Sequence, residues 1–166
     1  MRNHLIQIGF FGANESHKER LMRWACPSNT DGKYLIEKYD KVFNIHLKNI
    51  QNISCGCFDI HCLVLVFDSN DPESFAHIRS NYETIKQTIT LRNLATNCIF
   101  LLVRVADTPP STSLFHNEIV EFTNTERLLY VTVDTEHDKD FKQMYDQILK
   151  MNMLENISLH TSCVVA

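Results

Sequence analysis

The sequence predicts an α/β domain, a doubly wound and mainly parallel sheet with one antiparallel edge strand. Three observations carry this. The runs 60 to 67 and 98 to 103 are apolar almost throughout, as strands covered on both faces of a parallel sheet must be. Between such runs lie segments whose apolar residues recur every three or four positions, clearest in Phe75, Ile78, Tyr82, Ile85, Ile89 and again in Phe141, Met144, Tyr145, Ile148, Leu149. One run instead alternates, with Val42, Phe43, Ile45 and Leu47 set against Asn44, His46 and Lys48, the period of a strand with one open face. Strands that alternate with helices connect through right-handed crossovers, and ligands then gather beyond the carboxyl ends of the strands.

Along the chain, Leu5, Ile6 and residues 8 to 11 form a first buried strand, with Gly9 and Gly12 marking its end and a turn. Residues 15 to 25 place Leu21, Met22, Trp24 and Ala25 on one face of a helix that stops before Pro27, and 28 to 33 read as a loop. The alternating run 42 to 48 is expected at the sheet edge, paired as a hairpin with 50 to 57. The apolar strand 60 to 67 anchors the fold. Asp71 caps the helix after it, with Pro72 in the first turn and Glu73 favourable to the helix dipole. After the strand 98 to 103, Asp107-Thr-Pro-Pro110 cannot continue either element, 113 to 123 read as a helix, 128 to 133 as a strand and 138 to 153 as the closing helix. The expected division is one domain over residues 1 to 153 with a tail from 154 to 166.

Composition narrows the function classes. A chain of 166 residues suits one core, and 44% hydrophobic content with four Gly and four Pro argues against long disordered stretches. A net charge of −4 gives no bulk attraction to a phosphate backbone, so nucleic acid is not an expected partner. The longest apolar run falls far short of the ~20 residues that span a bilayer. No apolar leader follows Met1, so the cytoplasm is the expected location and the six Cys the expected thiols of that compartment. Cys55-Gly-Cys57 has neither the spacing of a redox pair nor that of a zinc ribbon, and no metal site is expected there.

The segment Cys62-Leu-Val-Leu-Val-Phe-Asp-Ser-Asn-Asp-Pro-Glu-Ser-Phe75 resembles the fourth strand and following helix of Ras-superfamily small GTPases, and the order of elements follows that family over nearly the whole chain. The resemblance implies a small-GTPase-like, P-loop NTPase-type fold and directs attention to four motifs. The phosphate loop G-x-x-x-x-G-K-[ST] cradles phosphates on backbone N–H groups, neutralises them with Lys and holds Mg²⁺ on the hydroxyl. Its counterpart here is Gly9-Phe-Phe-Gly-Ala-Asn-Glu-Ser16. Gly9, Gly12 and Ser16 remain, Asn14 replaces the second glycine and Glu15 stands in the lysine's place. A carboxylate there exchanges an attraction for a repulsion, each worth about 4 kcal/mol at ~4 Å and an effective dielectric of 20. Lys18, on the following helix, is expected to point elsewhere.

The D-x-x-G motif with its water-orienting Gln has no counterpart, because only Ser54-Cys-Gly-Cys-Phe-Asp59 separates the hairpin from the central strand. The guanine-reading N-K-x-D aligns with Arg104-Val-Ala-Asp107, which keeps only the Asp, and Val133-Asp-Thr135 replaces the Ser-Ala-Lys loop. The vestigial nucleotide pocket is therefore Gly9, Gly12, Ser16 and Asp107, with no catalytic residue and no metal ligand assigned. Ser162-Cys163-Val-Val-Ala166 fits the C-a-a-X prenylation signal, with Cys163 as the lipidated residue and no polybasic run beside it.

The resulting expectation is a catalytically inactive, small-GTPase-like adaptor or scaffold in signalling. It binds protein partners through its domain surface, uses no cofactor and associates peripherally with the cytosolic face of a membrane if Cys163 is prenylated. The alternative is an atypical GTP-binding signalling protein with weak GTPase activity, using GTP or GDP with Mg²⁺. A phospho-receiver with Asp68 as acceptor ranks last, since the acidic pair and the Lys it needs are absent at Phe10-Phe11 and Arg104-Val105.

Overall fold

The computed structural model describes residues 3–27, 31–52, 59–92, 98–106 and 115–162. Its elements in chain order are β1 (Asn3–Phe11), α1 (Glu15–Ala25), β2 (Lys33–Lys38), β3 (Lys41–Ile50), β4 (Cys62–Asp68), α2 (Pro72–Arg92), β5 (Ile99–Ala106), α3 (His116–Glu126), β6 (Leu129–Asp134) and α4 (Asp138–Ser162). The strands form one sheet in the order β2-β3-β1-β4-β5-β6, with the β2–β3 pair antiparallel and every other pair parallel. The chain is thus an α/β domain on a six-stranded, mostly parallel sheet with one antiparallel edge strand.

Alternation along the strands divides the core into two layers. Ile6, Ile8 and Phe10 of β1, Cys62, Val64 and Val66 of β4 and Leu101, Val103 and Val105 of β5 pack with Leu21 of α1 and with Phe141, Met144, Tyr145, Ile148 and Leu149 of α4. Leu63, Leu65 and Phe67 of β4 and Leu102 of β5 face the other way, onto Phe75, Ile78, Tyr82, Ile85 and Ile89 of α2 and Ile119 of α3. Because β4 is buried on both sides, it reads as a continuous apolar run. The Tyr145 hydroxyl donates to the Leu21 carbonyl at 2.7 Å and ties α4 to α1.

The edge of the sheet differs from the sequence expectation. Residues 42 to 48 lie in β3, whose one side pairs with β1 and whose other side is covered by β2. The hairpin is therefore β2–β3, closed by Tyr39 and Asp40 with φ of 52° and 58°, the left-handed pair of a two-residue type I′ turn. The proposed partner strand 50 to 57 falls largely outside the described residues. One end also moves: β1 ends at Phe11 as expected, but α4 runs beyond Met153 to Ser162. Among the described residues no helix is long and apolar enough to cross a membrane.

Candidate functional site

The carboxyl ends of β1, β4, β5 and β6 lie side by side, and the turns that leave them form the candidate site. The first of these turns is short. Only Gly12, Ala13 and Asn14 separate β1 from α1. Gly12 sits so close to β4 that a Cβ would strike the Val66 carbonyl oxygen and lie 3.2 Å from its carbon. That contact requires glycine whether or not an anion is held nearby. Gly9, two residues inside β1, packs against the side-chain tips of Ile50, Ile60 and Leu63 and takes no part in the turn.

Asn14 caps α1. Its Oδ1 accepts the His17 N–H at 3.2 Å and the Ser16 hydroxyl at 2.8 Å, so the hydroxyl expected on Mg²⁺ is turned back onto the cap. One donor of the helix N-terminus is thereby used internally. Glu15 follows with its carboxylate divided between two partners. Oε1 lies 2.6 Å from the Lys18 Nζ, and Oε2 accepts from the Asn49 Nδ2 at 2.8 Å. The Lys18 ammonium, first among the causes, and Asn49 hold the Glu15 carboxyl below the usual carboxylate range.

Lys18 is the residue that the motif alignment from Gly9 undervalues. It is 0% exposed, and its Nζ is paired with the Glu15 carboxylate at 2.6 Å. Counted from Gly12, where the turn lies, G-x-x-x-x-G-K-[ST] puts His17 on the second glycine, Lys18 on the lysine and Glu19 on the hydroxyl residue. The signal was present in the sequence as a six-residue spacing, hidden by the apolar Phe10-Phe11 that extends the strand.

The second turn, after β4, is also closed by its own side chains. Asp68 reaches back to α1, its Oδ2 3.0 Å from the His17 Nε2, while its Oδ1 accepts the Asn70 N–H at 2.8 Å. The Ser74 hydroxyl accepts the Asp68 N–H at 2.9 Å and donates to the Asp71 carbonyl at 2.7 Å. Asp71 takes the Glu73 N–H at 3.0 Å, the cap expected from the sequence. After β6, Thr135 donates its N–H to the Ala106 carbonyl at 3.1 Å, and its own carbonyl accepts from Arg20 at 3.3 Å. The Glu136 N–H, first, and then His137 keep the Asp134 carboxyl below its ordinary value.

Arg104 occupies the first position of the N-K-x-D alignment. It is buried in β5 beside Phe67 and Thr132 on the neighbouring strands, and its Nε and Nη2 have no hydrogen-bond partner among the described residues. Asp107 and Cys163 lie outside the described residues. The structure therefore brings Gly12, Ser16 and Lys18 to one turn and leaves Gly9 in the strand behind it. A cavity of about 480 Å³ is lined by Ser16, Arg20 and Trp24 of α1, by Thr135 just after β6 and by Asp138 at the start of α4.

His61, expected in the apolar strand, precedes β4 and is partly exposed. Its Nδ1 accepts the Gln7 N–H at 3.0 Å, which satisfies a β1 amide just before the β4 ladder begins at Ile8. Burial pushes its pKa down. Cys26 and Cys62 are buried free thiols and Cys98 is a partly buried one, with burial pushing the Cys62 pKa up. Among the described residues no group of three or more His, Cys, Asp or Glu is placed to hold a metal ion. No known family model matches the chain, and no curated protein matches its sequence.

Proposed function

We propose that the chain is a small-GTPase-like protein that works without nucleotide, as an adaptor that binds protein partners. One observation carries this reading: the turn where a phosphate would sit is three residues long and closed on itself by Glu15, Lys18 and the Asn14 cap. A triphosphate entering there meets the Glu15 carboxylate and must take Lys18 from it. The strand order, with its one antiparallel edge, is compatible with the small-GTPase-like fold that the sequence resembles. A lipid on Cys163 would add peripheral membrane attachment to this reading, and mass spectrometry of the protein from a prenylating cell tests it by the added mass.

The test of the main reading is nucleotide content. Protein purified without added nucleotide and then denatured should release no guanine nucleotide, and GTP or GDP with Mg²⁺ should leave the melting temperature unchanged. A ligand at 100 times its Kd would add about 2.7 kcal/mol, about 5–10 °C for a chain of this size. A shift of that order overturns the reading.

Lys18 favours a second reading, an atypical GTP-binding protein. The Gly12-to-Lys18 spacing fits the phosphate-loop motif, and the ammonium is buried with Glu15, itself half exposed, as its ion-pair partner. In that case Glu15 is a lid on Lys18, and Glu15→Gln should create or strengthen a GTP-dependent melting shift.

A further inference from the structure

Three polar side chains on neighbouring strands share the face of the sheet that lies under α2 and α3. Along β5, Leu101, Val103 and Val105 turn toward α1 and α4 and Leu102 toward α2 and α3, so alternation sends Arg104 to the second side with Leu102. Tyr130 of β6 packs on that side, its ring stacked on Phe67 of β4 at 6.5 Å and 16°, and therefore leans across β5. The β4 ladder runs on to Ser69, whose N–H donates to the Val105 carbonyl at 2.9 Å, and its side chain follows Phe67 to the same face. In register, Phe67 stands beside Arg104 and Leu102 beside Tyr130, so Ser69 and Tyr130 each lie one strand and two residues from Arg104, about 8 Å between Cα atoms.

The three share a second property. The Arg104 Nε and Nη2, the Ser69 hydroxyl and the Tyr130 hydroxyl are buried and have no hydrogen-bond partner among the described residues, and Arg104 as a whole is 7% exposed. Buried polar groups are ordinarily paired, and an arginine cannot escape by losing its proton. Asp71, Glu118 and Asp134, on the elements that border them, have partners of their own: the Glu73 N–H for Asp71, Arg79 for Glu118, and the Glu136 N–H with His137 for Asp134. α3 also opens here. Its N-cap, Phe115, packs on Phe67 at 6.4 Å and makes no side-chain cap, so the positive end of the helix dipole adds to the same field.

The donors select the ligand. The Nε and Nη2 edge of a guanidinium is a fork for two oxygens of one group, and the two hydroxyls supply further donors from either side. A carboxylate has two oxygens and is used up by the fork, whereas a phosphate-type oxyanion has further oxygens for the hydroxyls. Burial of all these atoms selects an ion small enough to be enclosed over a group carried on the surface of another macromolecule.

We propose that Arg104, Ser69 and Tyr130, beside the N-terminus of α3, form a binding site for a free phosphate-type oxyanion. Arg104 neutralises the ion and fixes its orientation, and the two hydroxyls take its remaining oxygens. The site lies on the side of the sheet away from α1 and Lys18, so it does not depend on whether the turn after β1 takes nucleotide.

The test is calorimetric melting of the full-length chain in phosphate-free buffer, titrated with inorganic phosphate against sodium chloride of equal ionic strength. Phosphate should raise the melting temperature saturably. Arg104→Met, which keeps a similar volume and removes the charge, should abolish the rise. Ser69→Ala and Tyr130→Phe, each of which removes one hydroxyl, should weaken the apparent affinity by about tenfold, and these two decide the matter if Arg104→Met does not fold. The proposal is overturned if phosphate gives no saturable rise up to ~20 mM, if acetate gives an equal one, or if the variants respond as the wild type does. A rise that Lys18→Met abolishes and Arg104→Met spares places the ion in the turn after β1 and overturns it too. So does a larger rise with O-phosphoserine than with inorganic phosphate, which would assign the groups to a phosphorylated partner. A rise seen only in Asp107→Asn would make Asp107 the counter-ion of Arg104 and would equally overturn it.

Discussion

The two halves of the sheet carry different burdens. In the half made of β4, β5 and β6, the first two strands are sandwiched between α1 and α4 on one side and α2 and α3 on the other, and β4 exposes almost nothing. In the half made of β1, β3 and β2, Ile6, Ile8, Phe43, Ile45 and Leu47 are buried in the core with α1 and α4, while Leu5 and Leu35 are 44% and 66% exposed. More of the buried apolar strand residues lie in the first half than in the second. The strand β1 is the seam, paired to β3 along its whole length and to β4 only from Ile8 onward.

The comparison is broken most directly by truncating one side chain in each half. Phe75 is buried in α2, ringed by Phe67, Phe115 and Phe122 at centroid distances of 5.2 to 6.1 Å. Phe75→Ala should cost about 3–5 kcal/mol, whereas Leu35→Ala should change stability by no more than about 0.5 kcal/mol. Urea unfolding of both variants checks this, and a large loss at Leu35 would mean that this exposed side chain is stabilising after all.

Much of this division is legible in the sequence, because it follows from period. The uniform burial of β4 and the three-to-four spacing of α2 and α4 are patterns of residue type alone, and they place the first half correctly. The second half was harder to read for a local reason. Its hairpin turns at Tyr39-Asp40, without the Asn-Gly or Asp-Gly that announces a type I′ turn, so residues 33 to 38 gave no signal and β3 took the edge position that belongs to β2. At the site, the capping role of Asp71 was legible from its place before Pro72. The burial of Lys18 was not, since it depends on how α1 lies against the sheet and on where β1 stops.

The seam offers the next contrast, between its two glycines. At Gly12 an added methyl meets the backbone carbonyl of Val66, which is fixed by the sheet; at Gly9 it meets the Cδ1 atoms of Ile50, Ile60 and Leu63, which can rotate away. Gly12→Ala should therefore cost about 1–3 kcal/mol by overpacking, and Gly9→Ala less. Equal losses would show that β1 and β4 can separate to admit the methyl group.

Lys18 and Glu15 test whether the turn is closed by charge. Glu15→Gln leaves a buried ammonium uncompensated and should destabilise the chain by about 1–3 kcal/mol. Lys18→Met removes that charge while filling a similar volume, and should be neutral or stabilising. Calorimetric melting of both variants decides the matter, because a loss at Lys18→Met as large as that at Glu15→Gln would assign the ammonium a structural role of its own.

The smallest effect lies at the other end of the seam, at His61, and is visible only against pH. Burial, the largest cause, with a smaller contribution from Lys48 and against the opposing pull of Asp59, lowers the pKa of the folded imidazole below its ordinary 6.5. The unfolded chain then binds the proton more readily than the folded one, so the stability His61 contributes is complete above pH 6.5 and is lost as pH falls through that value toward the folded pKa. Protonation also removes the Nδ1 lone pair that accepts the Gln7 N–H. His61→Asn keeps an acceptor for that amide and has nothing to titrate. The wild-type chain should therefore lose more stability than His61→Asn between pH 7 and pH 5, by at most about 1.4 kcal/mol for each unit of pKa difference. His46, whose pKa is lowered in the same direction, contributes to the remaining slope in both proteins. Parallel stability profiles for the two would show that the amino end of the β1–β4 seam does not depend on a neutral imidazole.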